Sequence, residues 1–237
     1  MAGRLYGRIA LVTGASRGIG AAVAKTLSAE GAHLILVART QGGLEEVDDE
    51  IRARGGSATL MPLDITDYDG IDKMGAAIFQ RWGKLDILVG NAALLGPMSP
   101  IGHIPPAEWE RAFAVNVTAN FRLIRSMDPL LRASDGARAV FVTSIAGRLA
   151  RAYWGLYSSS KAALEMMVKT YAHEVEKTPI RVNLFNPNRT RTAMRAQAYP
   201  GEDPETVKTA EEAAVQLMPL VLPSCTQNGE TLDATDK

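Results

Sequence analysis

Tyr157 and Lys161 stand four residues apart, with Ser144 upstream of them. Residues four apart share one face of a helix, because a turn takes 3.6 residues. A phenol normally ionises near ~10, and an ammonium held beside it favours the phenolate and lowers that pKa. Such a tyrosine can exchange a proton with an alcohol or carbonyl oxygen near neutral pH, and a serine can hydrogen-bond the same oxygen. Alone, the spacing also fits an ordinary exposed pair on a helix, so the rest of the chain must decide.

The composition is that of an ordinary soluble protein. Of 237 residues, 46% are hydrophobic and 22% charged, which suits the core of one larger α/β domain. Lys+Arg and Asp+Glu both number 26, so neither a nucleic acid nor an anionic membrane is expected as a partner. Cys225 is the single cysteine and the histidines are scattered, so neither a disulfide nor a metal site is expected. The sequence has no apolar leader and no run of ~20 apolar residues, and we predict a cytoplasmic location.

Strands and helices are predicted to alternate along the chain. Buried strands are predicted over residues 8–13, 33–38, 58–63, 85–90, 137–144 and 180–186, and residues 230–234 can form a seventh. Helices are predicted over 21–31, 44–54, a stretch ending at 82, 107–132, 155–177 and 211–222. This order predicts a three-layer, doubly wound parallel sheet in a single domain, 1–237. Residues 187–209 are too long for a simple connection, and such a segment commonly serves as a lid over a substrate or is disordered.

A glycine turn follows the first strand and leads into a helix. Its glycines are Gly14, Gly18 and Gly20. Glycines let the backbone approach a pyrophosphate, and the helix N-terminus supplies N–H donors and a positive dipole end. The spacing, Gly-x3-Gly-x-Gly, differs from the general G-x-G-x-x-G fingerprint, and such a turn can also be a mere tight connection. Its place after the first strand favours dinucleotide binding.

The segment TGASRGIG resembles the glycine motif of the short-chain dehydrogenase/reductase family, and further family motifs recur in order. Residues 90–93 (Gly-Asn-Ala-Ala) are similar to its Asn-Asn-Ala-Gly motif, and residues 187–192 resemble its Pro-Gly-x-x-x-Thr segment. The match covers about residues 5–235 and implies a Rossmann-type fold. The catalytic tetrad that the resemblance implies is Asn116, Ser144, Tyr157 and Lys161. The cofactor-binding residues that it implies are Gly14, Ser16, Arg17, Gly18, Ile19, Gly20, Arg39, Asp64, Ile65, Asn91, Ala92, Ala93, Tyr157, Lys161, Pro187, Asn188, Thr190 and Thr192.

The resemblance also implies a role for each member of the tetrad. Tyr157 is the acid/base, and Lys161 lowers its pKa and binds the nicotinamide ribose. Ser144 polarises the substrate oxygen, and Asn116 distorts its helix and holds a water that links Lys161 to bulk solvent. Judged by residue type alone, an asparagine in the middle of a helix is also compatible with a buried amide that satisfies backbone groups.

Three positions depart from the family motifs. Gly90 stands where the first Asn is common, Ala93 replaces a glycine, and Asn188 replaces the glycine after Pro187. Asn tolerates left-handed dihedral angles better than most residues, so we expect the turn at Asn188 to survive. The effect of these changes on cofactor affinity stays open.

Two arginines indicate which nicotinamide cofactor is used. An enzyme that uses NAD commonly places a carboxylate after the second strand to hold the ribose 2′-hydroxyl, whereas this chain has Arg39 there. A guanidinium suits the 2′-phosphate of NADP, and Arg17 in the glycine turn offers a second one. NADP(H) is therefore predicted over NAD, although both arginines also fit a plain solvated surface.

The substrate is left open between two classes. Mostly apolar candidates favour a hydrophobic or aromatic carbonyl compound, and nearby arginines favour an anionic one. The chain also resembles functionally unassigned bacterial oxidoreductases of the family, and this resemblance indicates no substrate. The apolar candidates are Leu95, Met98, Leu149, Trp154, Met194 and Tyr199, and the arginines are Arg148, Arg151, Arg189 and Arg191.

The function predicted is that of an NADP(H)-dependent carbonyl reductase or alcohol dehydrogenase acting on a small molecule. One alternative is a non-catalytic NADP-binding scaffold or redox sensor, against which the complete tetrad argues. Another is a sugar-nucleotide epimerase or dehydratase, whose relatives usually carry a Gly-x-x-Gly-x-x-Gly turn that this chain lacks. The apolar helices over 107–132 and 155–177 resemble those that family members pair between subunits, which implies a homodimer or homotetramer.

Overall fold

Seven strands form the central sheet of this protein, whose computed structural model describes residues 3–236. The strands are β1 (Ile9–Thr13), β2 (His33–Ala38), β3 (Ser57–Pro62), β4 (Ile87–Gly90), β5 (Arg138–Val142), β6 (Arg181–Asn186) and β7 (Thr231–Asp233). Every neighbouring pair is parallel, and the strand order is β3-β2-β1-β4-β5-β6-β7. The order reverses between β1 and β4, and ligands of open parallel sheets bind at the carboxyl ends of the strands beside such a reversal.

Helices cover both faces of the sheet. They are α1 (Gly18–Ala29), α2 (Gln41–Ala53), α3 (Tyr68–Trp82), α4 (Pro106–Phe113), α5 (Ala119–Arg132), α6 (Gly155–Glu174), α7 (Ala193–Ala198) and α8 (Ala210–Leu217). One buried cluster joins the sheet to α1, α2 and α8, and a second joins it to α3, α5 and α6. The predicted three-layer, doubly wound parallel fold is therefore confirmed.

Local signals set several helix ends. The Asp67 side chain accepts a hydrogen bond from the Gly70 amide at the start of α3, and Gly83 ends that helix with a φ of 71°. Thr209 and Glu212 form a reciprocal capping box at the start of α8. The predicted helix over 211–222 is too long, because α8 ends at Leu217 and a short 3₁₀ turn, Met218–Leu220, carries Pro219.

The helix predicted over 107–132 is not continuous. A π-helical turn, Ala114–Thr118, separates α4 from α5 and contains Asn116. Such wide turns within helices are rare and frequently occur at functional sites.

Residues 187–209 form an ordered segment rather than a disordered one. The segment holds α7 and a 3₁₀ turn, Pro204–Thr206, and a parallel bridge joins Thr190 to Lys208 near its two ends. Helix α7 packs at the site through Met194 and Ala198.

Within residues 3–236, no helix combines the length and the apolar character needed to cross a membrane.

Candidate active site

The four residues of the predicted tetrad meet at the carboxyl edge of the sheet. Ser144 follows β5 and starts a short 3₁₀ turn, while Tyr157 and Lys161 lie on the first turns of α6. The Lys161 Nζ lies 5.7 Å from the centre of the Tyr157 ring, and Ser144 hydrogen-bonds the Tyr157 side chain. Tyr157 is 8% exposed, Lys161 2% and Asn116 fully buried. The fold thus brings a phenol, a hydroxyl and an ammonium together in a largely buried site.

Burial dominates the ionisation of this group. It raises the pKa of Tyr157 to about 12, although the hydrogen bond with Ser144 opposes the shift. It also lowers the pKa of Lys161 to about 8, against the attraction of the Glu165 carboxylate. Lys161 directs its Nζ to the carbonyl oxygen of Val142, at 2.9 Å. Burial thus sets the direction of the Tyr157 shift, and the lowering of its pKa by Lys161 stays a prediction.

Asn116 holds the loop that follows β4. Its Oδ1 accepts from the Leu94 amide at 2.8 Å, and its Nδ2 donates to the Leu94 carbonyl and to Ser160 Oγ, each at 2.9 Å. The main-chain carbonyl of Asn116 accepts from Asn120 Nδ2 at 2.9 Å. The expected helix distortion is present as the π-helical turn, and the expected role of a buried amide satisfying backbone groups is present as well.

The glycine turn forms an open cradle at the start of α1. Gly14 and Gly18 have φ values of 65° and 56°, which favour glycine. A Cβ on Gly20 would lie 2.2 Å from the Gly14 carbonyl oxygen, so a side chain there cannot be accommodated. Helix α1 begins at Gly18 without a side-chain cap from any of the described residues, which leaves its first N–H groups available. These features fit the pyrophosphate of a dinucleotide.

Thr13 joins the ends of β1 and β4 and was missed by the sequence analysis. Its hydroxyl accepts from the amides of Asn91 and Ala92, at 3.0 and 3.1 Å. The Asn91 side chain donates to the carbonyls of Thr13 and Gly14, at 2.9 and 3.4 Å. Asn91 therefore fixes the glycine turn through its side chain, a role that its place in the motif did not reveal.

The departure at Gly90 has a packing reason. A Cβ at this position would lie 2.4 Å from Cδ1 of Phe141 and 2.7 Å from Oδ1 of Asn120. The buried Phe141 ring on the neighbouring strand β5 thus occupies the space that a side chain at position 90 would need. The remaining substitution of the motif, Ala93, is partly exposed.

Asn188 adopts the predicted left-handed conformation, with a φ of 52°. Asn186, at the end of β6, supports it and was also missed by the sequence analysis. The Asn186 Oδ1 accepts from the amides of Ile145 and Asn188, at 3.2 and 3.1 Å. Its Nδ2 donates to Asn188 Oδ1 and to Asp233, each at 2.8 Å. One buried amide therefore ties the 3₁₀ turn that Ser144 begins to the segment after Pro187.

The two threonines after Pro187 have different surroundings. The buried Thr190 donates its hydroxyl to the Pro187 carbonyl at 2.9 Å. Thr192 caps α7 by accepting from the Arg195 amide at 3.1 Å, and its methyl group lies 3.6 Å from where a Cβ on Gly18 would stand. The structure thus places Thr192 beside the glycine turn, whereas Thr190 forms a hydrogen bond within its own segment.

Several of the predicted cofactor-binding residues follow β1, β2 and β3. Arg17 and Arg39 are exposed, and Arg39 Nη1 lies 3.8 Å from Asp64 Oδ2. Burial raises the pKa of Asp64, but hydrogen bonds from Thr66 and the charges of Arg39 and Arg111 outweigh it and leave that pKa below its usual value. Ser16 is partly exposed, Ile19 packs on the core and Ile65 is buried.

Glu165 lies one helical turn beyond Lys161 and is 5% exposed. Its Oε1 accepts from the Thr143 hydroxyl at 2.8 Å and lies 3.5 Å from Nε of Arg148. The sequence analysis missed this carboxylate, although an acid four residues after a lysine shares its helix face and is a signal that could have found it.

Apolar side chains surround Tyr157. Leu95 and Ala146 are buried against Tyr157, and the partly buried side chains that pack on them are Met98, Trp154, Met194 and Ala198. Four of the six predicted apolar candidates thus lie in this cluster, and Tyr199 touches it through the Trp154 ring, 5.7 Å between centres. Leu149 is 43% exposed and lies outside the cluster. A cavity of about 490 Å³ opens next to Leu95, between the loop after β4, α4 and Gln197.

A doubly wound parallel sheet with a glycine turn after its first strand is a Rossmann-type dinucleotide-binding fold. The family model described as short chain dehydrogenase matches residues 8–203, and the chain belongs to this family of oxidoreductases. The predicted family membership is thereby confirmed.

Relatives resemble the chain over most of its length. It is 38% identical to the uncharacterized oxidoreductase YciK of Escherichia coli K12, over 97% of this chain and 92% of that protein. A structure of a short chain dehydrogenase from Salmonella enterica serovar Typhi has a TM-score of 0.94 and 36% identity, with 98% of both chains covered. A structure from Escherichia coli CFT073, complexed with NADPH, has a TM-score of 0.94 and 37% identity, also with 98% of both chains covered.

Proposed function

We propose that this protein transfers a hydride between NADP(H) and a carbonyl or secondary alcohol compound, with Tyr157 as the acid/base. The observation that carries the proposal is the convergence of Tyr157, Ser144 and Lys161 at the carboxyl edge, beside the cradle of the glycine turn. A non-catalytic scaffold for the cofactor would need the cradle but not this group of titratable side chains.

Tyr157, Ser144 and Lys161 each have a separate role in the proposed reaction. When bound, the nicotinamide supplies or accepts the hydride. Tyr157 gives its phenolic proton to the substrate oxygen in reduction and takes the hydroxyl proton in oxidation, while Ser144 hydrogen-bonds the same oxygen. With a pKa of about 12, Tyr157 holds its proton at neutral pH, which suits the donor role in reduction. Lys161, with a pKa of about 8, carries its charge at pH 7 and favours the phenolate that remains.

The test of the function is the loss of reduced nicotinamide absorbance against a panel of aldehydes, ketones and quinones. A Tyr157→Phe variant keeps the ring but not the proton, so we expect kcat to fall by ~100-fold or more while NADPH binding is unchanged. Tyr6→Phe, at an exposed tyrosine, serves as the matched control. Retained turnover in Tyr157→Phe would refute the role, and NADPH binding without turnover of any compound would favour the scaffold or sensor.

The choice of NADP over NAD is part of the proposal. The first N–H groups of α1 would hold the pyrophosphate, and Arg17 and Arg39 would hold the 2′-phosphate. The related structure that contains NADPH supports this choice. We expect a higher kcat/KM with NADPH than with NADH, and Arg39→Gln should reduce that ratio by ~10-fold or more, because a guanidinium–phosphate pair is lost. Arg54→Gln, at an exposed arginine that ends α2, is the control, and a preference of the unaltered protein for NADH would contradict the assignment.

We further propose that the protein is a cytoplasmic homodimer or homotetramer acting on a small molecule, without a nucleic-acid partner. Support for self-association comes from two exposed apolar side chains on the long helices, Phe121 on α5 and Met166 on α6. Equal numbers of acidic and basic residues support the absence of a nucleic-acid partner.

A further inference from the structure

We infer that the substrate is an uncharged carbonyl compound with an apolar, preferably aromatic, skeleton. This inference rests on the proposed function, because it concerns the molecule whose oxygen meets the Tyr157 hydroxyl. It chooses between two substrate classes, hydrophobic and anionic, that the sequence leaves equally open.

The surroundings of Tyr157 give the first reason. The tyrosine is 8% exposed, and the side chains packed around it are those of Leu95, Met98, Ala146, Trp154, Met194 and Ala198. A substrate whose oxygen reaches the phenol must lie among these side chains or displace them. In either case its carbon skeleton contacts apolar groups, and a charge placed there loses hydration without compensation.

Aromatic rings give the second reason. The Trp154 ring stands edge-on to Tyr157, with centres 6.1 Å apart and an interplanar angle of 63°, and lies 5.7 Å from the Tyr199 ring. Aromatic pairs prefer such edge-on and tilted arrangements, and an aromatic substrate beside Tyr157 can pack on the same rings. Met98 and Met194 complete the cluster with flexible thioethers, which adapt to ligands of differing outline and contact aromatic edges favourably.

The arginines give the third reason, because most of them are already neutralised. Arg148 pairs with Asp233 at 2.5 Å. Arg189 and Arg195 both pair with Glu202, at 3.0 and 2.6 Å.

The remaining arginines complete this picture. Arg191 pairs with Glu205 at 2.9 Å. Arg151 has a neutral partner among the described residues, the Tyr199 hydroxyl at 3.3 Å, and it is exposed. An anionic substrate would therefore have to break an ion pair or rely on one hydrated guanidinium, which is weakly favourable in water.

A matched pair of aldehydes tests the substrate class. With NADPH as reductant, kcat/KM is measured for 4-methylbenzaldehyde and for 4-formylbenzoate, which differ by a methyl group against a carboxylate. We expect the neutral aldehyde to be favoured by ~10-fold or more, because the carboxylate must be desolvated without a counter-charge. Equal values, or a preference for the carboxylate, would overturn the inference.

Variants test whether the aromatic cluster carries the preference. Trp154→Ala should lower kcat/KM for the neutral aldehyde by ~10-fold and Trp154→Phe by less, because Phe restores a ring but not the full indole area. Phe79→Ala, at an exposed aromatic on α3, controls for the loss of a ring elsewhere. Arg151→Gln should leave the ratio between the two aldehydes unchanged, whereas a selective loss of 4-formylbenzoate activity would identify Arg151 as an anion site and contradict the inference.

A binding measurement distinguishes failure of the proposed function from failure of the inferred substrate class. If neither aldehyde is reduced, hydride transfer to this class of carbonyl compounds is contradicted, and the pair is then compared by calorimetric titration of the NADP-loaded protein. Tighter binding of 4-methylbenzaldehyde would still support an apolar site. Tighter binding of 4-formylbenzoate, or binding of neither, would overturn the substrate class as well.

Discussion

At the scale of single residues, burial sets the ionisation of Tyr157 and Lys161. Burial raises one pKa to about 12 and lowers the other to about 8, so it favours the neutral form of both groups. Glu165 is the charge that acts against this effect at Lys161. Its position also links the lysine to Thr143, the residue before Ser144.

Removal of the Glu165 charge should make Lys161 lose its proton at a lower pH. In Glu165→Gln the amide can still accept from Thr143, but its attraction for the ammonium is gone, so the pKa of Lys161 should fall by roughly half a unit to one unit. The measurement is the pH profile of kcat/KM, whose alkaline limb should move to lower pH. Glu174→Gln, about 20 Å from Lys161 along α6, is the control. Coincident profiles for Glu165→Gln and the unaltered protein would contradict the role.

The lowered pKa of Lys161 also makes the stability of the folded protein depend on pH. The folded chain releases this proton near pH 8, whereas the unfolded chain holds it to about 10.5. The unfolded state therefore binds more protons between these values, and the contribution of Lys161 to the free energy of unfolding rises with pH through that window.

At the scale of elements, ion pairs join parts of the segment 187–209 to one another. Glu202 accepts two hydrogen bonds from Arg195, both at 2.6 Å, and two from Arg189, from Nη2 at 3.0 Å and from Nε at 3.3 Å. These hydrogen bonds lower the pKa of Glu202 to about 2. Arg195 also lies over the Tyr199 ring, 3.7 Å from its centre, so the ion pair extends to the aromatic cluster beside Tyr157.

Glu202→Gln should loosen this segment without unfolding the sheet. We expect backbone hydrogen exchange within 187–209 to accelerate several-fold, while exchange in the central strands is unchanged, because the bonds lost belong to one loop. Glu205→Gln removes a single, more exposed ion pair and should have a smaller effect. Exchange rates that are equal in Glu202→Gln and the unaltered protein would show that contacts other than the Glu202 ion pairs order the segment.

Acid should reproduce the effect of Glu202→Gln in the unaltered protein. The folded pKa of Glu202 lies below its ordinary value of 4.5, so the ion pairs contribute fully above that value and are lost as the pH falls toward about 2. Exchange within 187–209, corrected for the intrinsic rate at each pH, should therefore change little from pH 7 to 5 and accelerate below pH 4.

At the scale of the whole molecule, apolar side chains remain on the outer surface of the helices that flank the site. Met166 is 68% exposed and Phe121 47%, and the smaller Ala162 is exposed one turn before Met166. Exposed apolar groups on long helices are typical of surfaces that pair with a second subunit.

Met166→Glu should shift the proposed oligomer toward the monomer. A charge at a subunit contact must be desolvated or exposed again, so we expect a lower sedimentation coefficient at equal protein concentration. Phe79→Glu, at an equally exposed apolar side chain on α3, should leave the coefficient unchanged. Sedimentation of the unaltered protein as a monomer would contradict the proposed assembly.

The sequence by itself determined the features that depend on neighbours along the chain. Alternating buried runs and amphipathic stretches predicted the parallel sheet, because parallel strands need helical crossovers. The spacing of the glycines after the first strand predicted the tight turn between β1 and α1. The left-handed turn at Asn188 was predicted from the tolerance of asparagine for that conformation. Such signals are local, and one chain suffices to show them.

Only the tertiary structure decided the features that depend on residues far apart in the chain. The pKa of Tyr157 rises because segments from 95 to 198 bury it, and no spacing within α6 reveals that. Three of the four arginines that the sequence offers as an anion site, Arg148, Arg189 and Arg191, pair with Asp233, Glu202 and Glu205. Burial and ion pairing both arise from packing between distant elements, and the proposed proton transfer by Tyr157 and the proposed substrate class rest on these two quantities.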